Sequence, residues 1–168
     1  MRIIIGIDPG LVKTGWGIIS AQGNAVQFIA CGTIKPKTTL PLPERLGFLN
    51  QQLQVIITRH QPTEAAIEET FVSVNGASTL KLGQARGALL LSLALAGLNV
   101  GEYAPTLVKK SITGAGRAEK HQIGMMVRQL LPAARPALDD AGEDALDALA
   151  IAICHSNHSA FANRIKTG

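Results

Sequence analysis

Ile3-Ile4-Ile5-Gly6-Ile7 is an almost unbroken run of apolar, β-branched residues, and it stops at a charged one, Asp8, followed by the turn pair Pro9-Gly10. Such a run reads as a buried strand ending in a turn. A carboxylate at the tip of a buried strand costs desolvation free energy unless a cation offsets it. Ala65-Ala66-Ile67-Glu68 repeats the pattern further along: a short apolar strand that ends in an acid. Either acid alone fits a turn cap. Two at matching strand ends constrain the chain more, because neighbouring strands would bring them together.

The rest of the chain supplies a sheet for them. Thr14 to Ser20 and Val26 to Ile34 read as two further strands around Ala21-Gln22-Gly23-Asn24, which suggests an antiparallel meander. Pro43 opens a helix running to about His60, with Leu46, Leu49, Leu53 and Ile56/Ile57 on one face and Pro62 beyond it. Phe71 to Gly76 is expected to be a loop and Ser78 to Gly97 a long helix. That helix is apolar on nearly all sides from Ala88, so it is expected to be covered on more than one face. Val100 to Ala104 is a fifth strand, followed by helices at Leu107–Ile112, Lys120–Leu131 and Glu143–His155. A meander followed by strands alternating with helices implies one α/β domain over residues 1–168, a mixed five-stranded sheet flanked by helices.

A third acidic element lies near the end. Asp144 and Asp147 are three residues apart on a predicted helix and share a face, while Leu146, Leu149, Ala150 and Ile153 make its apolar side. Asp139, Asp140 and Glu143 lie just upstream and suit capping or the helix N-terminus. Capping would explain the entire acidic group except Asp147, which lies beyond the first turn. Four acids gathered at one end of a sheet raise one another's pKa. Hard divalent cations relieve that, and oxygen-only ligation favours Mg²⁺ or Mn²⁺. Two such ions roughly 4 Å apart are the arrangement that activates water and stabilises the leaving oxygen in phosphodiester hydrolysis.

Charge distribution agrees. The net charge is +4, a weak pointer to a polyanion. Between Pro105 and Pro136 the bases Lys109, Lys110, Lys120, Arg117, Arg128 and Arg135 face Glu119 alone, immediately before the acidic cluster. Lys109, Lys110 or Lys120 can add positive charge where a phosphate becomes more negative in its transition state. Two solvated helix faces would produce the same pattern.

These blocks together resemble one family. GIDPGxxxTGWG (Gly6 to Gly17), AAIEETF (Ala65 to Phe71), LKLGQARG (Leu80 to Gly87), GxGRAEK (Gly114 to Lys120) and EDALDALAIA (Glu143 to Ala152) are similar, in order and spacing, to the RuvC Holliday junction resolvases. The resemblance implies a ribonuclease-H-like fold and a homodimer that cuts four-way junction DNA by paired symmetric nicks. It also implies two Mg²⁺ ions per subunit, with Mn²⁺ able to substitute, and a RuvAB-type branch-migration partner. On it, Asp8, Glu68, Asp144 and Asp147 fall at the catalytic, metal-holding carboxylates, and Lys109 and Lys120 at functional bases. Phe71 falls at an aromatic that stacks on a base. Arg86, Lys110 and Arg117 join Phe71 as expected DNA contacts.

Other readings stay open at this point. An ATP-binding protein of the actin and sugar-kinase type also carries a GIDxG turn, but it clamps nucleotide between two such domains and this chain has room for one. A non-catalytic DNA-binding module would not need the complete acidic set. A nuclease of similar fold acting on an RNA–DNA hybrid is excluded by the family resemblance alone. Cys154, His155 and His158 suggest zinc only weakly, since no fourth ligand stands out; a helix-terminal histidine pair beside a buried cysteine is the expectation. Trp16 and Tyr103 are expected to pack. MRIIIGIDPG shows no basic-then-apolar leader, and Ala88 to Val100 is too short to span a bilayer of ~30 Å. With no CxxC pair, a reduced cytoplasmic protein without a membrane partner is expected.

Overall fold

A computed structural model describes residues 1–70 and 75–166, with side chains described as far as residue 159. Its centre is a five-stranded sheet in the order β3-β2-β1-β4-β5. β1 (Arg2–Asp8), β2 (Thr14–Gln22) and β3 (Ala25–Ile34) form the antiparallel meander expected from the short turns between them. β4 (Glu64–Glu68) and β5 (Asn99–Tyr103) run parallel to β1, as crossovers through helices require.

Alternation along β1 divides the molecule into two layers. Ile5 and Ile7 belong to a core beneath α1 (Leu42–His60) and α2 (Gly76–Leu95). Ile4, on the other face, belongs to a second core with α3 (Pro105–Thr113), α4 (Lys120–Leu130), α5 (Arg135–Ala141) and α6 (Glu143–Lys166). This is the mixed, helix-flanked α/β sheet that the sequence predicts.

Glycines on β1 and β2 set how closely α6 approaches. A Cβ on Gly6 would lie 2.1 Å from the Ala148 carbonyl oxygen, and one on Gly15 would lie 1.9 Å from that of Asp144. On Gly17 a Cβ would strike the Leu149 side chain at 2.7 Å. Real Cβ atoms do not make such contacts, so α6 lies against bare backbone. The alanines on its lower face, Ala145, Ala148 and Ala152, are fully buried there.

Three expectations need correction. α6 continues to Lys166, since no proline or glycine follows His155 until Gly168, so His155 and His158 lie inside the helix rather than at its end. Asp139 and Asp140 belong to a separate short helix, α5, which starts beside Pro136 and ends at Gly142 with φ 81°. α2 is covered by its own chain on one face only: Ala85, Leu89, Ser92 and Leu93 are buried, whereas Leu80, Leu91 and Leu95 are 64%, 59% and 75% exposed. Among the described residues no helix is long and apolar enough to cross a membrane. Both cysteines are free.

Candidate active site

Strand register brings the first two acids together. Ile7 pairs with Ile67, so Asp8 and Glu68 stand side by side at the carboxyl ends of adjacent parallel strands. Both point to the α6 side, the parity shared by Ile4 and Gly6 on β1 and by Ala66 on β4. Asp8 also pairs across β2 with Gly15, the residue on which the Asp144 backbone rests. The glycine seat therefore carries the first turn of α6, with Asp144 and Asp147, up to the Asp8 end of the sheet.

The turn between β1 and β2 is closed by Thr14, whose hydroxyl donates to the Gly10 carbonyl at 2.6 Å and accepts from the Gly10 amide at 3.2 Å. Arg45 of α1 braces it by donating to the Leu11 carbonyl at 2.8 Å. From this turn Lys13 reaches Asp144 at 2.5 Å. Across the site, Lys120 at the start of α4 pairs with Glu143 at 2.9 Å and with Asp147 at 3.4 Å. Glu68, Lys109, Lys120 and Asp147 line a cavity of about 150 Å³ with an apolar floor of Val108, Ile123 and Ala150.

Burial and mutual repulsion raise Asp8, Glu68 and Asp147 above the ordinary carboxylate range. Asp8 is pushed up to about 8, by burial first and then by the charges of Glu68, Asp147 and Asp144, against a lowering by Lys120. Glu68 rises to about 7 through burial and Asp147, with Lys109 and Lys120 opposing. Burial also raises Asp147, and Lys120 is raised chiefly by its hydrogen bond to Glu143. Among the described residues no three acidic, histidine or cysteine side chains are gathered closely enough to hold an ion. Asp144 and Asp147 are engaged by lysines instead, and a divalent cation would exchange with those ammonium groups. The donor set fits a hard cation in chemistry, being all-oxygen and partly buried.

Of the other expected residues, Lys110 and Arg117 are exposed, on α3 and in the turn before α4. Arg86 has its guanidinium committed within the chain: Nε donates to the Glu68 carbonyl at 2.9 Å and Nη2 pairs with Glu102. It stands behind Glu68. Phe71 lies outside the described residues. Cys154, His155 and His158 are not gathered as a zinc site. His155 contacts Glu64 at 2.8 Å and the Tyr103 hydroxyl at 2.9 Å, and His158 Nδ1 is 2.8 Å from the Cys154 carbonyl. Tyr103 therefore hydrogen-bonds as well as packs. Lys13 escaped the sequence reading because it stands alone at a variable place in the turn motif; its signal was the motif itself, which puts the turn beside Asp8.

Residues 4–155 match the family described as crossover junction endodeoxyribonuclease RuvC. The chain belongs to the RuvC family. It is 57% identical over 155 residues to the RuvC of Azorhizobium caulinodans, covering 92% of this chain and 89% of that one. It is 53% identical over 163 residues to a Rhodopseudomonas palustris RuvC, covering 97% and 91%. Among solved structures, Thermus thermophilus RuvC in complex with a Holliday junction substrate superposes with a TM-score of 0.87 at 30% identity, covering 96% of this chain and 97% of that one. The yeast mitochondrial Holliday junction resolvase shares the fold, with a TM-score of 0.68 at 14% identity over 98% of this chain and 80% of that one. An endonuclease of this family depends on a divalent metal.

Proposed function

We propose that this protein resolves Holliday junctions in DNA recombination and repair, nicking strands symmetrically by metal-dependent phosphodiester hydrolysis. The observation that carries the reading is the convergence of Asp8, Glu68, Asp144 and Asp147 from three separate elements on one end of the sheet, beside Lys109 and Lys120. Asp8, Glu68, Asp144 and Asp147 would hold two Mg²⁺ ions, with Mn²⁺ as a substitute, and these supply Lewis acidity at the scissile phosphate and its attacking water.

The chain's own part is positioning and charge. The strand ends fix Asp8 and Glu68, and the glycine seat fixes Asp144 and Asp147, so ligand spacing depends on backbone contacts. Lys120 and Lys109 border the same cavity as Glu68 and Asp147 and present ammonium groups to the phosphate. Such groups gain most where negative charge grows in the transition state. The apolar floor of Val108, Ile123 and Ala150 limits water at the reacting centre.

A homodimer belongs to the same reading, and the open face of α2 supports it. Leu80, Leu91 and Leu95 are exposed, and a Cβ on Gly83 or Gly87 would meet nothing within 4 Å, so the open face is both apolar and flat. Pairing two such faces about a two-fold axis buries them and presents one active site to each cut strand. A RuvAB-type branch-migration complex and a cytoplasmic setting belong to the same reading.

The test is cleavage of a synthetic four-way junction beside a linear duplex of the same sequence, in Mg²⁺ and in chelator. Paired nicks in the junction alone, dependent on Mg²⁺, are expected. Equal cutting of the duplex, or undiminished cutting in chelator, would overturn the reading.

A further inference from the structure

Next to the catalytic cavity lies a second cleft of about 450 Å³, and Lys120 lines both. Its wall is the outer face of α4, where Lys120, Gly124 and Arg128 follow one another at intervals of four and His121 and Met125 lie alongside. The opposite face of α4 buries Ile123 and Val127 in the core, so the helix cannot turn this wall away.

Arg128 is the unusual member. It is half-buried, and its guanidinium lies back along the helix over Gly124, where even a Cβ would come within 3.4 Å of Nη1. Among the described residues no hydrogen bond or ion pair engages it. The acid lining the cleft, Glu143, is paired with Lys120. A guanidinium is always charged and offers a rigid fork of donors suited to phosphate oxygens. Holding one half-buried without an anion gives up hydration and gains no partner.

We propose that Arg128, with His121 beside it, binds a backbone phosphate of the strand being cut, a few nucleotides from the scissile one. The proposal rests on the nuclease reading above and extends its substrate path along α4. Lys120 to Arg128 is eight residues, about 12 Å of helix; successive phosphates on one strand advance ~3.4 Å along the duplex axis and lie farther apart than that through space, so the span corresponds to roughly two nucleotides or slightly more. Met125 gives the sugar an apolar surface, and bare Gly124 lets the Arg128 guanidinium lie flat along the helix. Phosphate contacts of this kind set register on the DNA without reading its sequence.

The experiment measures junction binding in Ca²⁺ across a salt series for the wild type, Arg128→Ala, Arg128→Gln and, as control, Arg59→Ala on α1 across the sheet. Arg128→Gln keeps the stem over Gly124, and thermal melts confirm folding. Both Arg128 variants are expected to bind about tenfold more weakly and to lose about one unit of salt slope, the signature of one lost phosphate contact. Arg59→Ala should match the wild type. Junctions carrying a single neutral methylphosphonate linkage then locate the contact. The wild type should lose affinity at a linkage two to four nucleotides from the cut, and Arg128→Ala should lose nothing more there. Wild-type affinity and slope in folded Arg128 variants would overturn the proposal, as would equal sensitivity of both proteins to every linkage. Failure of the wild type to cut junctions would overturn the nuclease reading itself, whatever the Arg128 variants bind.

Discussion

Asp8 ionises at about pH 8 in the folded chain against 3.8 as its ordinary value, and Glu68 at about 7 against 4.5. Between these limits the folded state holds protons that the unfolded state has released. The contribution of these groups to stability is therefore greatest at low pH and declines as pH rises through 8. Metal-free protein should accordingly melt at a lower temperature at pH 9 than at pH 5.5 from this source, and Asp8→Asn should flatten that fall while abolishing cleavage. Calorimetric melts in chelator across this range check the first part, and a junction assay checks the second. A second expectation concerns Lys13, which pairs with Asp144. Lys13→Met should bind Mn²⁺ about threefold more tightly, as befits loss of a competing, partly exposed pair, and should lower the metal-free melting temperature. Titration calorimetry with Mn²⁺ reads the affinity directly.

At the scale of elements, α6 matters most, and its seat is backbone on backbone. Gly15→Ala would drive a methyl into the Asp144 carbonyl and lift the first turn of the helix. A loss of roughly 3 kcal/mol in urea unfolding is expected, the upper range for overpacking, together with loss of cleavage even where the variant folds. Helix assignment also separates the acids: Asp144→Asn and Asp147→Asn should each abolish cleavage, whereas Asp139→Asn and Asp140→Asn on α5 should cost less than twofold in single-turnover rate. Much of this was legible beforehand. Asp8 and Glu68 could be placed because apolar runs stop at them, and Asp144 with Asp147 because a spacing of three shares a helix face. The glycines of GIDPGxxxTGWG were visible as a motif, but their partner was not, since periodicity does not tell which helix lies on which strand. α5 went unseen because its seven residues, Arg135–Ala141, give too few turns for a period. The bracing role of Arg86 was hidden for a related reason: a basic residue in a motif does not reveal that its guanidinium donates to the backbone behind Glu68.

The whole molecule leaves one helix face unfinished. Leu91 is 59% exposed, so Leu91→Glu places its charge in water within a single subunit and should leave the fold intact. In a dimer the same carboxylate would be buried without a partner, weakening association by a factor on the order of a hundred. Light scattering should show wild-type dimer and variant monomer of equal thermal stability. On a cruciform plasmid the monomer should yield nicked circles in place of linear product. Unfolding of Leu91→Glu would instead place this face in the subunit's own core. The glycine seat of α6 bears on when activity can begin. Asp8 lies near the start of the chain and Asp144 near its end, and nothing but docked α6 brings them together. A ribosome-bound chain can complete the meander and lay down Asp8 and Glu68, yet it holds only half a site until α6 has been synthesised and has settled on β1 and β2. The four acids are therefore assembled only once α6, the last of the elements that carry them, has been made and docked.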